Sequence, residues 1–176
     1  MTLEGKKIGY VFTGSFCTFR KSIEQMKEIK KQNAIIIPVM SYNSYTPENK
    51  IIHTIQGAEP IGPKHLTDIM IIAPASGNTM AKLANDIIDT PATMAAKSHL
   101  RNENPLVIAP STNNGLSGNA INIGKLLNMR NYYFVPFKQD NPISKPRSIV
   151  YDSKYIIPAL EHALEGKQVQ PILQQL

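Results

Sequence analysis

The sequence has one cysteine, no tryptophan and no long apolar run, and each of these scarcities excludes a class of protein. The lone Cys17 has no second cysteine with which to form an internal disulfide, which indicates a reducing compartment. No uninterrupted apolar segment reaches the ~18 residues of a membrane-spanning helix. The first seven residues lead into a strand-like run without the hydrophobic stretch of a signal peptide. We therefore expect a soluble, cytoplasmic protein.

The charge of the chain is moderately basic, with 19 Lys and Arg against 13 Asp and Glu and a formal net charge of +6. A basic balance favours anionic ligands, and nucleic acid is the first class to consider. The excess is nevertheless spread along the chain, and its basic runs are only pairs such as Lys6-Lys7 and Lys30-Lys31. Nucleic-acid surfaces concentrate such charge on one face. A site for a small anion is the simpler expectation, and no nucleic-acid or membrane partner is predicted.

Short β-branched runs alternate along the chain with segments of helical periodicity. The apolar runs predict five strands, over residues 7–12, 34–40, 69–73, 106–109 and 132–135. Apolar residues at three- and four-residue spacing predict helices that begin near Thr18, Thr46, Thr79, Thr90, Ser117 and Ser153. Continuous apolar strands separated by helices are typical of parallel sheets buried on both faces. The sequence therefore predicts an α/β fold: a doubly wound, Rossmann-like or flavodoxin-like, mainly parallel sheet of five or six strands with helices on both faces.

The length of 176 residues is that of one domain of ordinary size, so residues 1–176 are expected to form a single domain. Residues 136–150 contain prolines and show no periodicity, and they are predicted to be a loop or flap. Residues 167–176 are predicted to be an irregular tail.

Small, hydroxyl and amide residues follow the ends of four predicted strands. Ligands of doubly wound sheets bind beyond the carboxyl ends of the strands, so these four segments are expected to surround one crevice. The first segment lacks the G-x-G-x-x-G of a dinucleotide site, but a glycine and hydroxyls before a helix suit a single phosphate. We predict phosphate contacts from Gly14, Ser15, Ser41 and Ser44. A capped strand-to-helix turn is the alternative explanation of the first segment.

The third of these segments carries the most specific motif. Residues 71–89 resemble the Pro-Ala-Ser-Ala-Asn-Thr signature and following helix of the flavin-containing cysteine decarboxylase superfamily, with Gly77 in place of one alanine. The resemblance extends over about residues 6–135 and implies that this segment lines the isoalloxazine ring of FMN. Small residues admit a flat ring, and amide or hydroxyl groups can hydrogen-bond its polar edge. The predicted ring contacts are Ala75, Ser76, Asn78 and Thr79, and Phe16 and Ser111 complete the predicted cofactor site.

Two departures from that superfamily bear on the reaction. The fourth segment matches the superfamily's Pro-x-Met-Asn-x-x-Met-Trp motif at Pro110 and Asn113, but it lacks both methionines and the tryptophan, with Thr112 at the first methionine. The position of the decarboxylases' catalytic histidine corresponds to Pro60, which cannot transfer a proton. Cysteine decarboxylation is therefore not expected, and Asn113 is predicted to orient a substrate carboxylate.

Within the superfamily, the whole chain resembles one branch, which is formed by the B subunits of the dipicolinate synthases of spore-forming bacteria. Residues 9–19, 60–64, 74–79, 111–116 and 166–171 carry this resemblance. It implies an oxidoreductase subunit that, with a partner A subunit, oxidises dihydrodipicolinate to dipicolinate (pyridine-2,6-dicarboxylate) in the mother cell during sporulation. The A subunit is expected to bind NADP, and this chain is expected to bind FMN or a related phosphate ligand. Oligomers recur in the superfamily, so a homo-oligomer is expected.

Two other functions remain open from the sequence. One is an FMN-dependent decarboxylase that uses a different base, and the other is a non-catalytic subunit that stabilises its partner and keeps a vestigial flavin site. The four histidines are too dispersed along the chain to indicate a metal site, and none is predicted. Cys17 lies beside the first segment, where a packed thiol is a simpler interpretation than a nucleophile.

Overall fold

The fold is built on a seven-stranded sheet in a computed structural model that describes residues 2–41 and 51–175. Five of its strands are parallel: β1 (Lys7–Phe12), β2 (Ile35–Met40), β3 (Ile69–Ala75), β4 (Leu106–Thr112) and β5 (Tyr132–Phe134). They lie in the order β2-β1-β3-β4-β5, which is the order of flavodoxin-like sheets. The predicted α/β fold with a mainly parallel sheet is confirmed.

Helices cover both faces of this sheet. They are α1 (Phe19–Lys31), α2 (Ile55–Ala58), α3 (Gly77–Ala84), α4 (Pro91–Leu100), α5 (Ala120–Leu127) and α6 (Ile156–Leu164). The predicted start near Thr79 moves to Gly77, because the Ser76 hydroxyl accepts a hydrogen bond from the Thr79 amide and caps the helix. The predicted helix start near Thr46 lies outside the described residues, but Ile52, within the predicted helix, forms a β-bridge with Val39, so the helix prediction is corrected there. Within the described ranges, no helix combines the length and apolar character that crossing a membrane requires.

The alternation of side chains along the strands divides the core between the two faces. Ile8, Tyr10 and Phe12 of β1 pack on one face, among residues of α1 and α6, whereas Val11 packs on the other, among residues of α3 to α5. All seven residues of β3 are buried. Burial on both faces explains why the central strands are apolar at every position rather than at alternate ones.

Residues 136–150, predicted to be a loop or flap, form a β-hairpin, so the loop prediction is corrected. Its strands are β6 (Phe137–Asn141) and β7 (Lys145–Tyr151), which pair with each other in antiparallel fashion. The end of β7 also pairs with the end of β4, through Val150 opposite Ser111 and Ile149 opposite Thr112. The outer half of the hairpin is exposed. It therefore lacks the apolar alternation by which a strand is recognised in a sequence.

Candidate functional site

A cavity of about 590 Å³ opens at the carboxyl edge of the sheet, where the strand order reverses between β1 and β3. The connections that follow two such strands lead to opposite faces, and the crevice between them is the usual ligand site of this architecture. The volume is within the range of small-molecule and cofactor sites. Four parts of the chain line the cavity. The residues after β1 are Gly14, Ser15, Cys17, Thr18 and Lys21, and those after β3 are Ser76, Gly77 and Asn78. The end of β4 and the residues after it contribute Ser111, Thr112, Asn113, Asn114 and Asn119, and the hairpin contributes Asp140, Lys145, Ser148, Ile149 and Val150.

The segment after β1 forms a short 3-10 turn (Phe16–Thr18) that leads into α1. The Ser15 hydroxyl donates to the Ser111 carbonyl at 3.0 Å, and the Thr18 hydroxyl donates to the Ser15 carbonyl at 3.0 Å. The first turn of α1 has no acidic residue and no side-chain cap, and Lys21 lines the cavity beside it. Backbone N–H groups at a helix N-terminus and a lysine form a donor set that suits a phosphate or carboxylate.

The second predicted segment contributes less to the cavity. Ser41 is buried at the end of β2, its amide donates to the Phe12 carbonyl at 3.0 Å, and it is not among the lining residues. Ser44 lies outside the described residues. The phosphate contacts predicted for these two serines remain predictions.

The third segment joins the ends of β1 and β3 through Thr13. The Thr13 hydroxyl donates to the Pro74 carbonyl at 2.7 Å and accepts from the Ser76 amide at 2.9 Å. Ser76 and the exposed Asn78 line the cavity, and the ring contacts predicted for them remain predictions. Ala75 is fully buried in β3, and the buried Thr79 hydroxyl lies 3.0 Å from that of Ser76. Ala75 and Thr79 therefore lie beneath the cavity lining rather than on it.

The end of β4 and the segment after it place Ser111 and Asn113 on the cavity, where the contacts predicted for them remain predictions. Two further asparagines were not among the predicted site residues. Asn114 and Asn119 also line it, and the Asn119 side chain donates to Asn114 Oδ1 at 2.7 Å. Gly77 lies directly against them: a Cβ atom at this position would be 2.5 Å from Asn119 Nδ2 and 3.0 Å from Asn114 Oδ1. The glycine that replaces alanine in the Pro-Ala-Ser-Gly-Asn-Thr segment thus makes room for the asparagines.

The hairpin forms the remaining wall, which sequence reasoning also missed. Its Lys145 donates to the Asp140 carboxylate at 2.8 Å, and this contact raises the pKa of the lysine. Ile149 packs against Gly115, where a Cβ atom would approach the Ile149 Cγ1 atom to 2.4 Å. A turn-forming Asn-Pro pair followed by β-branched residues was the available sequence signal for this hairpin.

The ionisable groups of the cavity are few. Lys21, Lys145, Asp140 and Cys17 line it, and no histidine does so among the residues described. Cys17 is exposed at the rim, which corrects the expectation of a packed thiol. Over the described ranges, no group of three or more His, Cys, Asp or Glu side chains is arranged to hold a metal ion.

Comparison with known proteins agrees with this architecture. Residues 1–154 match the Flavoprotein family. The chain is 38% identical to the B subunit of dipicolinate synthase from Bacillus subtilis (strain 168), over 98% of this chain and 95% of that protein. The crystal structure of the corresponding B subunit of dipicolinate synthase from Bacillus halodurans C superposes with a TM-score of 0.93 at 37% identity, covering 99% of both chains. An FMN-dependent cysteine decarboxylase, SpaF, superposes with a TM-score of 0.69 at 20% identity over 92% of this chain and 98% of that one, which shows a shared fold alone. The resemblances drawn from the sequence are confirmed.

Proposed function

Because the chain belongs to the Flavoprotein family, we propose that it holds FMN, or a related phosphate ligand, in the cavity at the carboxyl edge of the sheet, and acts as the B subunit of a dipicolinate synthase. The similarity to two such B subunits over nearly the full length of each chain is the observation that carries this proposal. The cavity supports it, since its volume suits a cofactor and Lys21 in its lining can contact an anion.

The donor set of the cavity fits FMN at both ends. The N-terminus of α1 with Ser15 and Lys21 would hold the phosphate, with Gly14, Ser41 and Ser44 as the other proposed phosphate contacts. Phe16 and Ser111 complete the proposed cofactor site. Ser76 and Asn78 would hydrogen-bond the ring, with Ala75 and Thr79 supporting them from below. When bound, FMN supplies two-electron redox chemistry, and the protein's own part is to bind and orient the reactants.

The proposed reaction removes two hydrogens from dihydrodipicolinate. One leaves as a hydride to NADP⁺, which we assign to a partner A subunit, and the other leaves as a proton to solvent. The residues lining the cavity bind and orient an anion in this scheme, with Asn113 proposed to contact a carboxylate. Pro60, at the position of the decarboxylases' histidine, lies in a 3-10 turn (Glu59–Ile61) outside the lining. No observation favours the decarboxylase alternative.

Subunit omission tests the proposed reaction. This chain and the A subunit encoded by the same organism are purified separately, and dipicolinate formation is followed by liquid chromatography with each of the two alone and with both. Activity only in the mixture, dependent on NADP⁺, is the expected result. Dipicolinate formation unchanged by omission of this chain would refute the synthase role and favour a dispensable, partner-stabilising role.

A fluorescence titration tests the cofactor assignment separately. FMN emission is measured as the chain is added, for the wild type and for Asn78→Ala, with Asn128→Ala as the control because Asn128 is an exposed asparagine outside the lining. We expect saturable quenching and a roughly 10-fold weaker Kd for Asn78→Ala, because one hydrogen bond to the ring is lost. A wild-type chain that neither carries nor takes up FMN would refute the assignment.

Two further parts of the proposal concern the oligomeric state and the cellular location. The homo-oligomer is proposed by analogy with the superfamily, in which oligomers recur, and the location in the mother cell of a sporulating bacterium is proposed from the resemblance to the B-subunit branch. Sedimentation velocity of the purified chain tests the first, and imaging of a fluorescent fusion in sporulating cells tests the second.

A further inference from the structure

Four asparagine side chains form a row that leads from α3 to the cavity. Asn119 Nδ2 donates to Asn114 Oδ1 at 2.7 Å, and Asn122 Nδ2 donates to Asn119 Oδ1 at 2.9 Å. Asn85 Nδ2 lies 3.4 Å from Asn122 Oδ1 and continues the row on α3. In every pair the amino group of one amide faces the oxygen of the next, so the row has a direction.

The direction of the row is set by groups that have only one hydrogen-bonding role. At the far end, Asn85 Nδ2 also donates to the Ala81 carbonyl at 2.8 Å, and a carbonyl can only accept. The Lys125 ammonium, which can only donate, lies 3.4 Å from Asn85 Oδ1. Reversal of any one amide would bring two amino groups or two oxygens together. The amides therefore point the same way, and the last of them is Asn114.

This arrangement leaves the amino group of Asn114 available to a ligand. Asn114 Oδ1 accepts from Asn119 and also from the Thr112 hydroxyl at 2.7 Å, so its oxygen is occupied. No hydrogen bond joins Asn114 Nδ2 to another of the residues described. Among those residues, every fully buried side-chain nitrogen or oxygen has a partner, so this unpartnered amino group is accessible. Asn114 lines the cavity, and the row behind it fixes which end of its side-chain amide is the free donor.

We propose that Asn114 determines specificity by donating from Nδ2 to a carboxylate of the substrate. The ligand class is a six-membered nitrogen ring with two carboxylates, and in this respect the inference rests on the proposed function. An ionised carboxylate accepts a hydrogen bond from such a donor more strongly than a neutral acceptor does. The neighbouring Asn113 is exposed, and its side chain makes no hydrogen bond with the described residues that would orient it. Asn114 is the better-oriented donor of the two.

The variant Asn114→Asp separates the donor from the rest of the row. Aspartate keeps an oxygen to accept from Thr112 and Asn119, but it replaces the amino group with a carboxylate oxygen. Binding of pyridine-2,6-dicarboxylate and of pyridine-2,6-dicarboxamide to the full chain is measured by isothermal titration calorimetry. We expect the dicarboxylate to bind about 10- to 100-fold more weakly, because a charge-assisted hydrogen bond is replaced by repulsion. The dicarboxamide, which can donate to the new carboxylate, should lose much less.

A second variant acts without changing Asn114. In Asn119→Asp, residue 119 can only accept, so the Asn114 amide should reverse and present its oxygen to the cavity. We expect the same preferential loss of dicarboxylate binding. Asn128→Asp is the matched control, since it makes the same change of charge at an exposed position of the α5 C-terminus. It should leave both affinities unchanged.

The outcomes distinguish this inference from the proposed function. If the mixed subunits form dipicolinate but Asn114→Asp and Asn119→Asp both bind the dicarboxylate like the wild type, the donor role of Asn114 is overturned and the synthase role stands. If the mixed subunits are inactive but both variants shift preference from dicarboxylate to dicarboxamide, the carboxylate site stands and the synthase role fails. A wild-type chain that does not bind the dicarboxylate overturns the donor role whatever the activity.

Discussion

Substitution of Gly77 by alanine tests the packing at the centre of the cavity. Gly77 is the first residue of α3, and its φ is not positive, so its backbone conformation is open to alanine. The obstacle is steric. A Cβ atom would lie 2.5 Å from both Asn119 Nδ2 and Thr112 Oγ1 and 3.0 Å from Asn114 Oδ1.

The expected cost follows from these distances. Ordinary contacts of carbon atoms begin near 3.5 Å, so two polar atoms must each retreat by about 1 Å. Overpacking of this kind costs about 1–3 kcal/mol. The retreat also disturbs the two hydrogen bonds accepted by Asn114 Oδ1, each of which contributes about 1 kcal/mol. Alanine recovers about 0.5–1 kcal/mol by restricting the unfolded chain. We expect a net loss of about 2–4 kcal/mol in the free energy of unfolding.

Urea denaturation followed by circular dichroism measures this loss as a lower midpoint at unchanged slope. Gly124→Ala is the control, because Gly124 lies inside α5 and a Cβ atom there meets nothing within 4 Å. That variant should be more stable by about 0.5–1 kcal/mol. Adding Asn119→Ala to Gly77→Ala should cost less than the sum of the two single changes, since the side chain that crowds the new methyl is gone. A Gly77→Ala protein as stable as the wild type would refute the described positions of the asparagines.

Three further predictions concern titration, the hairpin and the cation at the cavity. Burial lowers the pKa of His99 below its usual 6.5, so unfolding takes up a proton below about pH 6.5. The free energy of unfolding therefore decreases as the pH falls through this window, by at most about 1.4 kcal/mol per pH unit. His99→Gln should flatten the dependence of the urea midpoint on pH in that window, and an unchanged slope would contradict the assignment. Gly115→Ala should displace Ile149 and increase cleavage of the hairpin in limited proteolysis, and adding Ile149→Ala should reverse this increase. Equal cleavage of the wild type, the single variant and the double variant would count against the contact. Lys145→Gln should leave the urea midpoint unchanged, because an exposed ion pair contributes little, but should weaken dicarboxylate binding several-fold in calorimetry; unchanged binding would exclude the lysine from the site.

The parallel part of the fold could be predicted from the sequence because burial leaves a direct trace in composition. Strands such as β3 are apolar at every position since both faces are covered. Helix starts were visible where a hydroxyl precedes proline, as at Thr90, which caps α4 with its own side chain. The hairpin lacked this pattern, because its outer half faces solvent and only residues near its base, such as Phe137 and Ile149, are buried.

The cavity was predictable in its location but not in its polar detail. Strand ends converge at one edge by topology, so Ser15, Ser76 and Ser111 could be placed together from their positions after strands. Which side of a turn a hydroxyl occupies depends on local hydrogen bonds, and the pairing of Thr79 with Ser76 turned it away from the lining. The row ending at Asn114 joins residues up to 37 apart in sequence, for which no local pattern exists.

The strand β4 has a consequence for the energetics of binding. Its outer edge is shared, with β5 along Leu106–Ile108 and β7 along Ser111 and Thr112. The backbone that carries part of the cavity wall is thus held in a ladder rather than free as a loop. Ordering a free backbone costs about 1–2 kcal/mol for each residue fixed. The entropy cost of ordering the backbone at Ser111 and Thr112 is already included in the free energy of folding. A ligand that contacts their hydroxyl groups therefore loses no affinity to this ordering.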